Sequence, residues 1–521
     1  MYGSPLALVV LAHRGVTSAL SMLHHVGCGC GSCRGITTGH VRNQPGARYP
    51  GGTGLAGHHP PAVTHPDAST LTPRSASIIA RRPRHSKAAE ARVSDRRDAQ
   101  HPQAQAAAPA GTGCGTRRQR AASRERPPWD GTGGVRGAAL SRWPGRVDEV
   151  GDRLLTLFLC GDVMTGRGVD QVLPHPGAPE LREPHAGDAR EYVRLAERAS
   201  GRIPRLAGFT WPWGDALRII DDLAPDVRVI NLETSITRSG RFAPGKAVHY
   251  RMSPGNVPCV AAARPDACAL ANNHVLDFGR RGLEDTVDAL SGAGLRAVGA
   301  GHDAAEARRP VAVPVPGGRR VVIFSCGTGS SGIPAGWAAA PGRPGIDLLP
   351  DLSGATADDV AGRARAAKRR GDVVVVSIHW GSNWGYDVDP DQVRFAHRLV
   401  DGGVDLVHGH SSHHPRPVEV FRGKLVLYGC GDCIDDYEGI TGHEQYRPSL
   451  RLLYFASLQP GTGTLAALRM APVQARRMRL HRAPAADAQW LQVVLERASR
   501  RFGSRVDLRP DGLLALRLGA S

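Results

Sequence analysis

The fold of this chain is decided by one segment, Thr156-Leu157-Phe158-Leu159-Cys160-Gly161-Asp162-Val163-Met164-Thr165-Gly166-Arg167. An apolar run of strand length leads into a Gly-Asp turn, which places the Asp162 carboxylate at the carboxyl end of a buried strand. Ligands bind at that edge in open α/β sheets. The segment therefore predicts a buried strand that ends in a ligand-binding residue.

Four later segments end in the same way, with polar side chains directly after an apolar run. They are residues 229–233, 269–274, 373–379 and 404–414. Strands that alternate with helices predict a layered α/β architecture. Because the carboxyl ends of parallel strands meet at one edge of a sheet, we expect these five segments to build one composite site.

The positive charge of the chain lies mostly in its first 150 residues. The chain has 521 residues and a net charge of +18, and residues 1–150 hold 20 Lys and Arg against 8 Asp and Glu. This part is rich in Arg, Ala, Pro and Gly and poor in aromatics, which predicts a disordered basic low-complexity tail. The remaining chain carries only about +6, an ordinary value for a soluble domain. We therefore expect no specific nucleic-acid partner, and nucleic-acid binding through the tail ranks third among the functional hypotheses.

The sequence contains no segment typical of membrane insertion or export. No run reaches the roughly 18 apolar residues of a membrane span. The apolar residues 6–12 lack a basic segment before them and a cleavage site after them. Ten cysteines without framework spacing indicate a reducing compartment. We expect a cytoplasmic protein, and peripheral association with the membrane stays open.

The polar residues at the strand ends form a mixed carboxylate, amide and imidazole set. Such a set suits Mn²⁺, Fe²⁺ or Zn²⁺, and two adjacent ions of this kind can clamp a phosphoryl oxygen. His274 follows the amide ligand and is placed to protonate a leaving group as the catalytic acid. The predicted metal ligands are Asp162, Glu233, Asn273, His379, His410 and His413.

Several short motifs resemble the CapA family of poly-γ-glutamate (capsule) synthesis proteins. They are Gly161-Asp162-Val163-Met164, Asn231-Leu232-Glu233, Ala271-Asn272-Asn273-His274-Val275-Leu276-Asp277-Phe278-Gly279, Gly299-Ala300-Gly301, His379-Trp380-Gly381 and Gly409-His410-Ser411-Ser412-His413. The resemblance covers residues 154–439 and implies a fold similar to the calcineurin-like metallophosphoesterases. That fold is a four-layer α/β/β/α sandwich with its site at the edge of two central sheets. Residues 440–521 are expected to complete the sandwich with further strands and a helix.

The resemblance also implies roles for the residues near the start of the domain. Asp162 resembles the first-strand metal aspartate of the phosphoesterases, and Glu233 stands where they place a bridging aspartate. Asn273 and His274 match their Asn-His pair. Met164 stands where the phosphoesterase pattern Asp-x-His has an imidazole. The resemblance therefore leaves open whether the site holds one metal ion or two.

The histidines of the second half continue the match. His379 matches the histidine of the next block, and His410 and His413 match a Gly-His-x-His element with one extra residue between the histidines. The residues expected to bind substrate are Arg167, Asn272, Trp380 and Asn383.

The function that these residues and the resemblance imply is metal-dependent hydrolysis of phosphoesterase type. The expected substrate is an anionic polymer or a phosphoester, and the expected partners are proteins of envelope biosynthesis. The alternative is a non-catalytic protein that binds or assembles an envelope polymer and carries a degenerate metal site.

Overall fold

The computed structural model describes residues 153–518, so the tail predicted over residues 1–150 lies outside the described residues. The helices are α1 (Arg167–Val172), α2 (Arg190–Ser200), α3 (Asp215–Leu223), α4 (Val257–Ala261), α5 (Gly279–Gly292), α6 (Ala304–Ala307), α7 (Gly354–Ala367), α8 (Pro390–Asp401) and α9 (Ala485–Ser499). Within residues 153–518, none of the helices combines the length and the apolar character that crossing a membrane requires.

The strands of the first half are β1 (Leu155–Val163), β2 (Glu180–Glu183), β3 (Ala186–Asp188), β4 (Val227–Leu232), β5 (Ser235–Ile236), β6 (Arg251–Met252), β7 (Ala267–Ala269), β8 (Ala297–Val298), β9 (Ala300–Gly301), β10 (Val311–Val315) and β11 (Arg319–Thr328). Those of the second half are β12 (Gly345–Ile346), β13 (Leu348–Leu349), β14 (Val373–His379), β15 (Leu406–His410), β16 (Val418–Phe421), β17 (Lys424–Leu427), β18 (Asp432–Ile434), β19 (Leu450–Leu458), β20 (Leu465–Ala475), β21 (Leu480–Arg482), β22 (Arg505–Leu508) and β23 (Leu514–Arg517).

The first sheet is built around β1. Its order in the described part of the chain is β22-β23-β20-β19-β1-β4-β7-β8, with β18 paired to β1 and β21 paired to β20. β1, β4, β7 and β8 run parallel, whereas β19 pairs antiparallel with both β1 and β20. Strands from residues 450–517 therefore share a sheet with the first motif, and the predicted boundary between residues 439 and 440 stays a prediction.

The second sheet carries the later motifs. Its order is β10-β11-β14-β15-β17-β16, and β13 pairs with β11. The central strands β11, β14, β15 and β17 run parallel. Because β14 and β15 are neighbours in register, their terminal residues His379 and His410 are directly paired.

Successive side chains of a central strand point to opposite faces of the sheet, so each strand packs against a layer on either side. In β1, Phe158 packs in a core with the helices α3 and α5, whereas Leu157 packs in the core shared with the second sheet. In β14, Val375 joins that shared core and Val374 packs with α7 and α8. Strands buried on both faces are typical of parallel sheets covered on both sides. The predicted four-layer α/β/β/α sandwich is confirmed.

Candidate metal centre

Asp162 is fully buried near the carboxyl end of β1. Gly161 allows the backbone at Gly431 to approach β1 closely. A Cβ atom at residue 161 would lie only 1.5 Å from the Gly431 carbonyl oxygen. Only glycine permits such a close backbone approach. The approach places β18 beside β1 with Asp162 and Asp432 as register partners. The backbone therefore brings two carboxylates together.

Asp162, His379 and His410 form what we call the inner group. One ligand atom of each residue lies within 4.8 Å of the others. His379 Nδ1 and His410 Nδ1 are 2.8 Å apart, and His410 Nδ1 lies 3.8 Å from Asp162 Oδ1. All three side chains are at most 1% exposed. The inner group therefore lies out of contact with bulk water.

Asp162, His413 and Asp432 form the outer group, with ligand atoms also within 4.8 Å of one another. His413 Nδ1 lies 2.9 Å from Asp432 Oδ1 and the His413 side chain is 12% exposed. The amide nitrogen of the exposed Asn383 lies 3.1 Å from His413 Nε2. The two groups share Asp162, so they form one continuous centre.

A hydrogen-bond chain from β1 orients the His410 ring. The Cys160 carbonyl can only accept, so His408 donates to it through Nε2–H over 2.9 Å. Burial lowers the pKa of His408 to about 4, and its neutral ring accepts at Nδ1 from the Ser377 hydroxyl over 3.1 Å. Ser377 Oγ then accepts from His410 Nε2–H over 2.9 Å. His410 Nδ1 therefore carries a lone pair, which accepts from His379 Nδ1–H over 2.8 Å. A ligating imidazole is likewise held by its other nitrogen, so a metal ion would take this lone pair in place of the His379 proton.

Glu233 lies beside the inner group and shares an amide donor with Asp162. Asn231 Nδ2 donates to Asp162 Oδ1 over 2.8 Å and contacts Glu233 Oε2 at 3.4 Å. Glu233 Oε1 lies 4.0 Å from His379 Nε2 and 3.7 Å from His274 Nε2. Glu233 therefore connects the inner group to the predicted catalytic acid.

The protonation equilibria of Asp162, Glu233 and the inner histidines favour neutral side chains. Burial, with the neighbouring Asp432 carboxylate, raises the pKa of Asp162 to about 7, and burial also raises the pKa of Glu233. Burial lowers the pKa of His379 and of His410 well below the usual value. Neutral imidazoles are ready to ligate, whereas the carboxylates need a nearby cation to stay charged.

Orphaned buried atoms show that the residues fit a metal ion. Among the described residues, the buried atoms without a hydrogen-bond partner include His379 Nε2, Asp432 Oδ2 and Asn273 Oδ1. Leaving such an atom unpaired costs about 1–3 kcal/mol. A cation would satisfy their lone pairs, and a carboxylate-imidazole set suits Mn²⁺, Fe²⁺ or Zn²⁺. The centre is therefore a candidate site for a divalent metal ion.

His274 is oriented by a carboxylate that the sequence prediction did not include. Its Nδ1–H donates to Asp277 Oδ2 over 2.6 Å, and Lys246 Nζ lies 2.5 Å from Asp277 Oδ1. Burial lowers the pKa of His274 to about 4, so the free ring is neutral at pH 7. The ring presents Nε2 to Glu233, and its role as catalytic acid stays a prediction.

Two of the predicted substrate-binding residues are buried with partners inside the protein. The Arg167 guanidinium binds the carboxylates of Asp436 and Glu183. Trp380 donates its Nε1–H to the Tyr428 carbonyl over 3.0 Å. These partners give both residues a role in holding the walls of the centre, and their contact with substrate stays a prediction.

The predicted asparagines occupy different places. Asn272 is buried and donates to the Leu232 carbonyl over 2.8 Å, which ties the motif to β4. Asn273 is partly exposed, and its buried Oδ1 has no hydrogen-bond partner among the described residues. Asn383 lies at the exposed edge of the outer group. Of these three, Asn383 is the most exposed, and the contact of Asn272 and Asn383 with substrate stays a prediction.

Sequence reasoning did not assign Asp432, although a signal was available. Asp432 follows β17 after the segment Tyr428-Gly429-Cys430-Gly431, and this arrangement repeats the apolar run and Gly-Asp turn of β1. Met164, which replaces the expected imidazole, is buried and accepts a hydrogen bond from the Tyr437 hydroxyl over 3.6 Å. Asp432 and His413 thus add candidate metal-ligating atoms to a centre whose first strand lacks an imidazole.

Comparison with known proteins identifies the family. The family model described as "Bacterial capsule synthesis protein PGA_cap" matches residues 156–437. A probable polyglutamine synthesis accessory protein of Mycobacterium tuberculosis is 57% identical over 362 residues, which are 69% of this chain and 95% of that protein. The PGA biosynthesis protein CapA of Bacillus subtilis is 27% identical over 293 residues, which are 56% of this chain and 66% of that protein.

Among solved structures, the chain is similar to a 5′-nucleotidase precursor from Thermus thermophilus. The TM-score is 0.36 at 17% sequence identity, over 62% of this chain and 54% of that one. The family match extends from the first strand of the fold past both ligand groups. The chain belongs to the bacterial capsule synthesis protein family PGA_cap, which is the CapA resemblance predicted from its motifs.

Proposed function

We propose that this protein is a metal-dependent hydrolase of phosphoesterase type, which acts on an anionic substrate during synthesis of a capsule polymer of the poly-γ-glutamate class. The observation that carries the proposal is the sharing of Asp162 by two ligand groups. Hydrolytic enzymes with two metal ions hold them about 3.5–4 Å apart. The polymer class comes from the CapA resemblance of the motifs. The family is described by capsule synthesis and PGA, and the two relatives are named for polyglutamine synthesis and PGA biosynthesis.

The two groups assign ligands to two ions. Asp162, His379 and His410 would hold the inner ion, and Asp162, His413 and Asp432 the outer ion. When bound, the ions supply Lewis acidity and neutralise negative charge at the scissile bond. The outer group lies at the exposed edge, so the substrate reaches the centre from the side of His413.

His274 is the proposed proton donor to the leaving group. Asp277 holds the Nδ1 proton and leaves Nε2 facing the centre. The pKa of about 4 keeps the free ring neutral at pH 7. An anionic substrate group next to Nε2 favours the charged ring, because an opposite charge raises the pKa of an imidazole. The acid is thereby formed when substrate is present.

A second candidate function is binding or assembly of an envelope polymer without catalysis. Met164 favours it, because a buried thioether that accepts a hydrogen bond from Tyr437 replaces the imidazole expected on the first strand. A thioether is a poor ligand for the harder divalent ions. This candidate predicts binding of polymer without turnover.

The test measures metal content and hydrolysis in the full chain. Wild-type protein is loaded with Mn²⁺, Fe²⁺ or Zn²⁺, analysed by elemental mass spectrometry and assayed with an aryl phosphate ester. We expect about two equivalents of metal and metal-dependent hydrolysis. The variant Asp162→Asn/His379→Ala is expected to lose both.

The matched control is His397→Ala, which removes an imidazole bonded to Glu419 outside both groups. It should keep metal and activity. Metal bound without hydrolysis of phosphate or polymer esters and amides would favour the non-catalytic candidate. Absence of metal in wild-type protein after loading would contradict the proposed function.

A further inference from the structure

A basic cleft lies beside the hairpin that joins β20 to β21. Its volume is about 350 Å³. We define the basic cleft by five of its lining residues, which are Gln474, Arg476, Arg477, His481 and Arg482. Residues 476–482 contain four arginines and one histidine and no acidic residue. One concave surface is therefore strongly positive, although the net charge of the domain is modest.

The turn of the hairpin fixes how the arginines are presented. Arg477 and Met478 have φ angles of +57° and +51°, as the two central residues of a tight hairpin turn do. Met478 is buried in the core next to the first sheet, which anchors the tip. The Arg479 guanidinium lies 4.9 Å from the centre of the Trp211 ring. Arg476, Arg477 and Arg482 are left to line the basic cleft.

The guanidinium groups of the basic cleft have no carboxylate partner. Over residues 153–518, no salt bridge involves Arg476, Arg477 or Arg482. Carboxylates that contact the hairpin bind its backbone instead. Glu438 accepts from the amide of residue 477, and Asp215 accepts from the amide of residue 482. These two carboxylates therefore hold the hairpin in place without pairing with its guanidinium groups. A further carboxylate, Asp487, accepts from Gln474 Nε2 over 3.4 Å at the edge of the basic cleft.

The basic cleft has the properties of an oxyanion-binding site. A guanidinium presents donors in a planar fork that matches a carboxylate or phosphate. A concave surface lined by one sign of charge concentrates the field on an incoming counter-ion.

We propose that the basic cleft is a second binding site for the carboxylates of an anionic chain, separate from the metal centre. The inference deepens the proposed function and rests on it for the identity of the chain, which is a γ-linked glutamate polymer. The fork geometry of the guanidinium groups in the basic cleft matches the repeated carboxylates of such a chain.

The first experiment locates binding in the full chain by arginine footprinting. Phenylglyoxal modification of each arginine is followed by mass spectrometry, with and without a γ-linked glutamate oligomer. At a free oligomer concentration about ten times the dissociation constant, modification of Arg476, Arg477 and Arg482 should slow by about tenfold. The exposed Arg309, Arg369 and Arg370, which have no salt bridge among the described residues, should be unaffected.

The second experiment measures affinity with a fluorescent oligomer of the same kind. The triple variant Arg476→Gln/Arg477→Gln/Arg482→Gln should bind about tenfold more weakly and with a smaller dependence on salt. Arg309→Gln/Arg369→Gln/Arg370→Gln makes the same change in net charge and should bind like wild type. This pair separates the basic cleft from the general basicity of the chain.

The outcomes also separate this inference from the proposed function. The variant Asp162→Asn/His379→Ala should keep cleft binding while losing metal and hydrolysis. Cleft binding by wild-type protein that holds no metal and shows no hydrolysis would uphold the inference and overturn only the proposed function. Equal footprints at all six arginines, or equal affinity of the two triple variants, would overturn the inference. So would cleft-dependent binding of phosphatidylglycerol vesicles without oligomer binding, or equal binding of a neutral γ-linked glutamine oligomer.

Discussion

The inner and outer groups share one carboxylate but differ in their surroundings. The inner histidines are almost fully buried, and His410 is held by a relay that starts at the Cys160 carbonyl. The outer His413 is 12% exposed and contacts the exposed Asn383. The inner group is therefore closed to solvent, whereas the outer group is partly open to it.

The electrostatics of the two groups differ as well. Burial lowers the pKa of His379 and His410. Burial also lowers the pKa of His413, but the adjacent Asp432 carboxylate outweighs this effect and raises it overall. Protons therefore compete with a metal ion at His413 more than at the inner histidines. We expect the outer ion to bind more weakly and with a stronger dependence on pH.

Loss of the shared carboxylate should have the largest effect. Asp162→Asn keeps an oxygen that can accept from Asn231 but removes the negative charge common to both groups. We expect almost complete loss of metal and a fall in hydrolysis of at least about 10³-fold. Elemental analysis and steady-state kinetics measure both, and circular dichroism checks the fold. Retention of one equivalent of metal would show that the groups are independent.

Removal of one histidine from each group should separate the two ions. His410→Ala and His413→Ala are each expected to lose about half of the metal, because each variant keeps one group. A chelator should then extract the remaining ion quickly from the His410 variant and slowly from the His413 variant. Stopped-flow absorbance with a metal indicator follows the release. Equal release rates would contradict the difference in burial.

The smallest expected effect is confined to the outer group. Asp432→Asn keeps an acceptor for His413 Nδ1–H but removes a charge. We expect the affinity of the outer ion to fall about 10–100-fold while the inner ion is unchanged. Titration with Mn²⁺ followed by electron paramagnetic resonance measures both affinities. A parallel loss at the inner group would place Asp432 in both groups.

Much of the fold is predictable because its signals are local. The apolar runs of β1 and β14 and the helical spacing of α5 indicate those elements in the sequence itself. Residues 174–190 are rich in proline and charged residues, which is typical of a loop, but they contain β2 and β3, and α2 begins at Arg190. α2 buries only Tyr192 and Ala196, so its apolar periodicity is too sparse to detect in the sequence.

The division of the site into two groups is not predictable from spacing. His410 and His413 form a single motif in the sequence but enter different groups in the structure. Between them, Ser411 adopts a φ of +105°, a costly conformation for a residue with a side chain, and its amide contacts Asp162 Oδ2 at 3.3 Å. The turn separates the two imidazoles.

The sequence by itself determined the family, the central strands and the chemical types of the ligands. These depend on short motifs and on the rule that parallel strands present their carboxyl ends at one edge. Only the tertiary structure decided that Asp432 joins Asp162, that a relay from Cys160 orients His410, and that three arginines lack acidic partners. Each of these depends on contacts between residues far apart in the chain, whose register and distance no local pattern encodes.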